Sequence, residues 1–415
     1  MVVLLAAAAV LFPAQAGAAP VIRRLAVVTI QNGDTDNERA QLADTTYLRN
    51  VFFSGGGGGS LASWMPAVTH GRLGFVPAGD GVFAAEPNAA LRDGARNRCL
   101  SDAARSTAEG FLSGRGIAWD SLAVVFDIGS CGWGGLGQMP GKVTWYPPRP
   151  SLSAIVHEFG HNLGYPHQLK RDCSGGAVSE CRVSGVSGTS PMGGGGSGRG
   201  YSAVELMHSG WVEPGWLVRT GRPGSFTLKP LHSPASTTGT RVVEFQTSGG
   251  TSYVIEARAS SSSGVDSAFG GNPALKVYSV NNKDYRNAWL VNPGGPVITD
   301  AAHKITISLR SATTVEIATT GAVSARPSPN RAAPAAPPSP SPSATASPAG
   351  PSATPEPDHF DDPDSLADSL IPPRGLPSPG ALPLLAAGIA LTAAAVLGAL
   401  LFALPGRRRR GRHAA

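Results

Sequence analysis

The sequence predicts an α/β domain followed by a small all-β sandwich, then a disordered Pro-rich stalk and one C-terminal transmembrane helix. Three observations predict this order. Up to residue 213, apolar β-branched runs mix with stretches of helical spacing, whereas from 214 to 323 short alternating segments are separated by turn residues. Beyond 324 the composition changes twice, first to Pro, Ser and Ala and then to an uncharged apolar run.

Residues 1–19, MVVLLAAAAVLFPAQAGAA, read as a secretory signal peptide, a short apolar run ending in small residues at A-x-A spacing. In the domain at 20–213, Leu25 to Ile30 and Leu122 to Ile128 read as buried strands, and Cys99 to Leu112 and Ser151 to Leu163 as helices. In the domain at 214–323, Ser225 to Leu228, Arg241 to Phe245, Tyr253 to Ala257, Leu275 to Val280 and Lys304 to Leu309 read as the strands of the sandwich. The stalk at 324–380 cannot bury enough apolar surface to fold, and its prolines favour extended conformations.

Residues 381–404 have the length of one membrane span, and the basic tail at 405–415, with Arg407 to Arg410 and Arg412, matches a cytoplasmic stop. This arrangement predicts a cell-surface protein whose body is extracellular and whose membrane contact is the C-terminal helix. A second reading takes Leu376-Pro377-Ser378-Pro379-Gly380 as a wall-sorting pentapeptide, with proline where threonine is expected. The tail arginines carry most of the formal charge of +6, so no basic patch argues for a nucleic-acid partner. A monomer is expected.

Four cysteines, Cys99, Cys131, Cys173 and Cys181, form an even set in an exported chain, which favours two disulfides. Three pairings are possible; the short span from Cys173 to Cys181 would close a loop and leave Cys99 to join Cys131. A four-thiolate zinc site is disfavoured because the chain has no C-x-x-C pair among them.

The segment HEFGHNLGYPH, residues 157–167, carries the chemistry. On a helix, His157 and His161 stack on one face and can ligate one metal. Glu158 lies beside them as a proton acceptor for an attacking water. Gly164 allows the helix to end in a left-handed turn, Pro166 reinforces the break, and His167 returns as the third ligand. Three neutral imidazoles with one open position suit Zn2+.

These eleven residues fit H-E-x-x-H-x-x-G-x-x-H throughout, and the chain thereby resembles the metzincin zinc peptidases. Within them it is most similar to the gametolysin-type peptidases, through SWMPAVTHGRLGF (63–75), the cysteine pair before Met192, YSAVELMHSGWV (201–212) and TSYVIEAR (251–258). The resemblance implies that the α/β domain is metzincin-like, that Met192 forms a methionine turn beneath the metal, and that Tyr201 is a candidate extra ligand. His70, His208, His232 and His303 lack motif partners and are expected to be structural or solvent-facing.

The expected activity is zinc-dependent hydrolysis of internal peptide bonds in a protein or peptide substrate, with Glu158 as general base. Two rival readings are an inactive relative serving as a surface adhesin or binding protein, and a zinc hydrolase acting on a cell-wall polymer.

Overall fold

Strand β1 (Val21–Ile30) is fully buried from Leu25 onward, as a parallel strand covered on both faces should be. The computed structural model describes residues 19–319 except 34, 56–58, 94–98, 128–130 and 263. With β2 (Leu73–Ala85), β3 (Ser121–Val125), β4 (Leu136–Gly137) and β5 (Val143–Tyr146), β1 builds a five-stranded sheet in the order β2-β1-β3-β5-β4. All of its pairings are parallel except β4 with β5, so an antiparallel strand occupies one edge.

Alternate residues of β1 serve two layers. Ala26 and Val28 pack with Ala104, Ala108 and Leu112 of helix α5 (Ser101–Gly114). Leu25 and Val27 face the opposite layer, with Trp64 and Met65 of α3 (Leu61–Val68) and Ile155 and Phe159 of α6 (Leu152–Asn162). The remaining helices are short: α1 (Asp36–Ala43), α2 (Thr45–Arg49), α4 (Ala89–Asp93) and α7 (Ala203–His208).

A seven-stranded mixed sheet follows. It contains β6 (Leu169–Cys173), β7 (Cys181–Val186), β8 (Leu217–Thr220), β10 (Val242–Gln246), β11 (Thr251–Arg258), β12 (Ala274–Asn281) and β13 (Trp289–Asn292), in the order β7-β6-β13-β12-β11-β10-β8. A four-stranded sheet, β14-β15-β16-β9, is formed by β9 (Gly224–Thr227), β14 (Val297–Asp300), β15 (Ile305–Leu309) and β16 (Thr314–Thr319). Val243, Phe245 and Ile255 of the larger sheet pack with Ile298, Ile307 and Ile317 of the smaller one. Its other face contributes Val242, Val254, Tyr278 and Leu290 to the cluster that holds Ile155, Phe159 and Leu25.

This architecture corrects the expected succession of an α/β domain and a separate small all-β sandwich. The described residues are mostly sheet, in three sheets with few helices. The hairpin β6–β7 belongs to the same sheet as strands 217–292, through the parallel pairing of Lys170 with Leu290. One core cluster spans Leu25 to Leu290, and all described residues lie in one compact unit. The physical reason is that β6, paired with β7 on one side, leaves the backbone groups of its other side unpaired unless a partner strand is supplied, and β13 supplies it. Among the described residues no helix is long and apolar enough to cross a membrane. The span assigned to 381–404, the signal peptide up to residue 18, the stalk and the basic tail lie outside the described residues.

Both expected disulfides are present. Cys99 pairs with Cys131, and Cys173 pairs with Cys181, with Cα atoms 4.4 Å and 3.9 Å apart. The second closes the last rung of the β6–β7 ladder, where Cys173 and Cys181 are register partners.

Candidate metal centre

Helix α6 begins at Ser151, whose hydroxyl accepts from the Ala154 amide at 3.2 Å and satisfies one of the free donors of the first turn. The helix buries Ile155, Val156 and Phe159 in the core and carries His157 and His161 one turn apart. It ends at Gly164, whose φ of 91° lies in the left-handed region, while the Tyr165 amide bonds back to the Gly160 carbonyl at 3.1 Å. The reversed chain then brings in His167.

The three imidazoles converge, with one ligand atom from each lying within 4.8 Å of the others. Nε2 of His157 and Nε2 of His167 are 3.2 Å apart. Backbone carbonyls fix two of the tautomers: His157 Nδ1 donates to the Pro191 carbonyl at 2.8 Å, and His161 Nδ1 donates to the Tyr165 carbonyl at 2.7 Å. Both Nε2 atoms therefore keep a free lone pair. Burial and the neighbouring imidazoles hold His157 and His161 well below the usual histidine range, to about 3 and about 4, and burial lowers His167 as well. Three neutral nitrogen donors so oriented fit a metal ion.

Glu158 is buried, only 6% exposed. Burial pushes its carboxyl up to about 8. The rim segment leading into β4 lies directly on it: a Cβ added at Gly135 would sit 2.7 Å from Glu158 Oε1, and one added at Gly137 would sit 2.8 Å from His161 Cβ. Asn162 ties this rim to the helix, donating to the carbonyls of Gln138 and Val143.

Met192 occupies a 3-10 turn at Pro191–Gly193, fully buried against Gly160 of α6. Tyr201, the candidate extra ligand, is fully buried and donates its hydroxyl to the Val156 carbonyl at 3.0 Å. Its ring is wedged between Trp64 and Tyr165, so it supports the helix from within. His232 donates to the Tyr201 carbonyl and stacks on His70, His303 pairs with Asp300, and His208 lies beside Gly164.

Sequence reasoning passed over the groups that hold this centre in place. Glu205 accepts from the Ser190 hydroxyl and the Ser202 amide, bracing the methionine turn against α7. Arg258, wholly buried, bonds to Asp266, Glu256 and the Gly200 carbonyl, and Glu256 accepts from the Ala203 amide. The available signal was a Glu and an Arg two apart inside the apolar strand TSYVIEAR, which puts both charges on one face.

No protein-family profile matches the chain, and no curated protein matches it. A solved structure titled "Structure of a chaperone-substrate complex" is similar over 36% of this chain, at 15% identity and a TM-score of 0.27. The match spans 24% of that structure's own chain, and a superposition this loose carries no argument about fold or activity.

Proposed function

We propose that this chain is an exported zinc-dependent endopeptidase of the metzincin kind, with His157, His161 and His167 as metal ligands and Glu158 as general base. The observation that carries the reading is the convergence of three neutral imidazoles, two of them oriented by carbonyls, beside a buried carboxyl. The two disulfides support export to an oxidising compartment.

His157, His161 and His167 would hold the zinc ion, which when bound would supply the Lewis acidity needed to acidify a water and polarise a scissile carbonyl. Glu158 accepts the proton of the attacking water and delivers it to the leaving amine. Its burial favours the protonated form, and a cation held by the three histidines would favour the ionised form that accepts a proton. Strand β4 ends its sheet, and Gly137 lies against the Glu158 carbonyl and His161 Cβ of α6, so an extended peptide added to that edge would run beside the helix that carries the ligands. That edge favours a peptide over a wall polymer as substrate.

The test compares metal content and casein digestion in the wild type, Glu158→Gln and His161→Ala. Glu158→Gln should keep zinc and lose roughly 10²- to 10⁴-fold in turnover. His161→Ala should lose the metal as well. Near-normal digestion by zinc-loaded Glu158→Gln would refute the mechanism, and hydrolysis of peptidoglycan but not casein would reassign the substrate.

A further inference from the structure

We propose that Gln168 is a positioning residue for the metal centre, coupling the third ligand to the turn that orients the first. The inference rests on the reading of His157, His161 and His167 as a metal site. Gln168 follows His167 directly and is 4% exposed. Its backbone is bonded on both sides: its amide donates to the Met192 carbonyl at 2.9 Å, and its carbonyl accepts from the Ser187 amide at 2.8 Å. Its side chain reaches across the same loop. Oε1 accepts from the hydroxyls of Ser187 at 2.7 Å and Thr189 at 2.8 Å, and Nε2 donates to the Ser202 hydroxyl at 2.7 Å.

The loop that Gln168 gathers includes Pro191, whose carbonyl fixes the tautomer of His157. Together with the two backbone bonds, one amide side chain thus holds the segment carrying His167 against the turn orienting His157. The three hydroxyls are themselves buried, so no water replaces a missing partner. Groups that orient metal ligands from behind change metal affinity by about 10- to 100-fold when removed.

The experiment measures zinc affinity of the full chain by competition with a chromophoric chelator, with no substrate present. Gln168→Met keeps the length of the side chain and removes its three side-chain hydrogen bonds while leaving the two backbone bonds in place; its zinc affinity should fall about 10- to 100-fold. Ser202→Ala, which deletes one partner, should weaken zinc in the same direction by a smaller factor and covers the case in which Gln168→Met does not fold. Leu112→Ala, a cavity variant in the layer beyond the first sheet, controls for general loss of stability. Zinc binding within twofold of wild type in Gln168→Met, or in Ser202→Ala if that variant alone folds, overturns the proposal, as does an equal loss in Leu112→Ala. A wild-type chain that binds no zinc refutes the metal-centre reading itself, which is a separate result.

Discussion

Gly160 stands in the interior of α6, where glycine is a poor helix former, and replacing it by alanine discriminates between two accounts of Met192. Helix propensity alone predicts that Gly160→Ala stabilises the protein by about 1 kcal/mol. The packing predicts the opposite. The new Cβ would fall inside the contact radius of Met192 Sδ and lie 3.3 Å from both Met192 Cε and the Tyr201 hydroxyl oxygen. Both side chains are closed in by the core, so relief requires the methionine turn to move. Overpacking of this kind costs about 1–3 kcal/mol, which leaves a net destabilisation of up to about 2 kcal/mol after the propensity gain. Because the same turn carries the carbonyl that orients His157, zinc affinity should fall together with stability. Urea unfolding with chelator competition measures both. Met192→Ala alone should cost about 2–5 kcal/mol, and the double variant should be less damaged than the sum of the two, because the alanine methyl enters the vacated space. A Gly160→Ala protein that is more stable than wild type and binds zinc normally would show that Met192 is not seated beneath this helix.

Two further outcomes are expected. Replacing Cys173 and Cys181 together by serine should lower stability by about 2.5 kcal/mol on loop-closure grounds, measured as a shift of the urea midpoint, and non-reducing peptide maps should show Cys173 joined to Cys181 and not to Cys99. Burial holds His232 at about 4, against about 6.5 in an unfolded chain, with Asp266, Arg258, Arg241 and the stacked His70 around it. Between those two values the unfolded chain takes up a proton that the folded chain refuses, so this contribution is complete above pH 6.5 and is lost as the pH falls towards 4, by roughly 3 kcal/mol. His232→Gln, which retains a donor for the Tyr201 carbonyl, should therefore lose less stability than wild type between pH 7 and pH 4.5; parallel curves would remove His232 as the cause.

The triad was legible because everything that builds it lies within eleven residues: a helical spacing, a glycine for the turn and a returning histidine. β1, β3, α5 and the strands β10 to β12 were legible for the same reason, since apolar runs in those segments report burial locally. β2 was hidden by Pro77, Gly79 and Gly81, which look like a break. They form an irregularity where the register shifts opposite Leu25 and Val27, with Gly79 and Gly81 at positive φ. The hairpin β6–β7 reads LKRDC and CRVSGV, polar enough for a loop. It is a strand pair because of a partner far along the chain, and no local pattern encodes a parallel pairing. Gln168 and Glu205 escaped notice because their importance lies in hydroxyls and amides scattered from Ser187 to Ser202.

The rung between Asp172 and Asn292 joins residues 120 apart, and this separation sets an order of events during synthesis. At about 5–20 residues per second, a growing chain that has finished the segment around His167 waits roughly 6–24 seconds before the strand that flanks it exists. During that interval the hairpin after the third histidine has no neighbour on one side, and Tyr278 and Leu290 have yet to close the core behind the helix. The segment carrying the three histidines is thus made early and matured late. A site whose supporting sheet is closed only by distal sequence reaches its final packing late in synthesis, long after its histidines have been made.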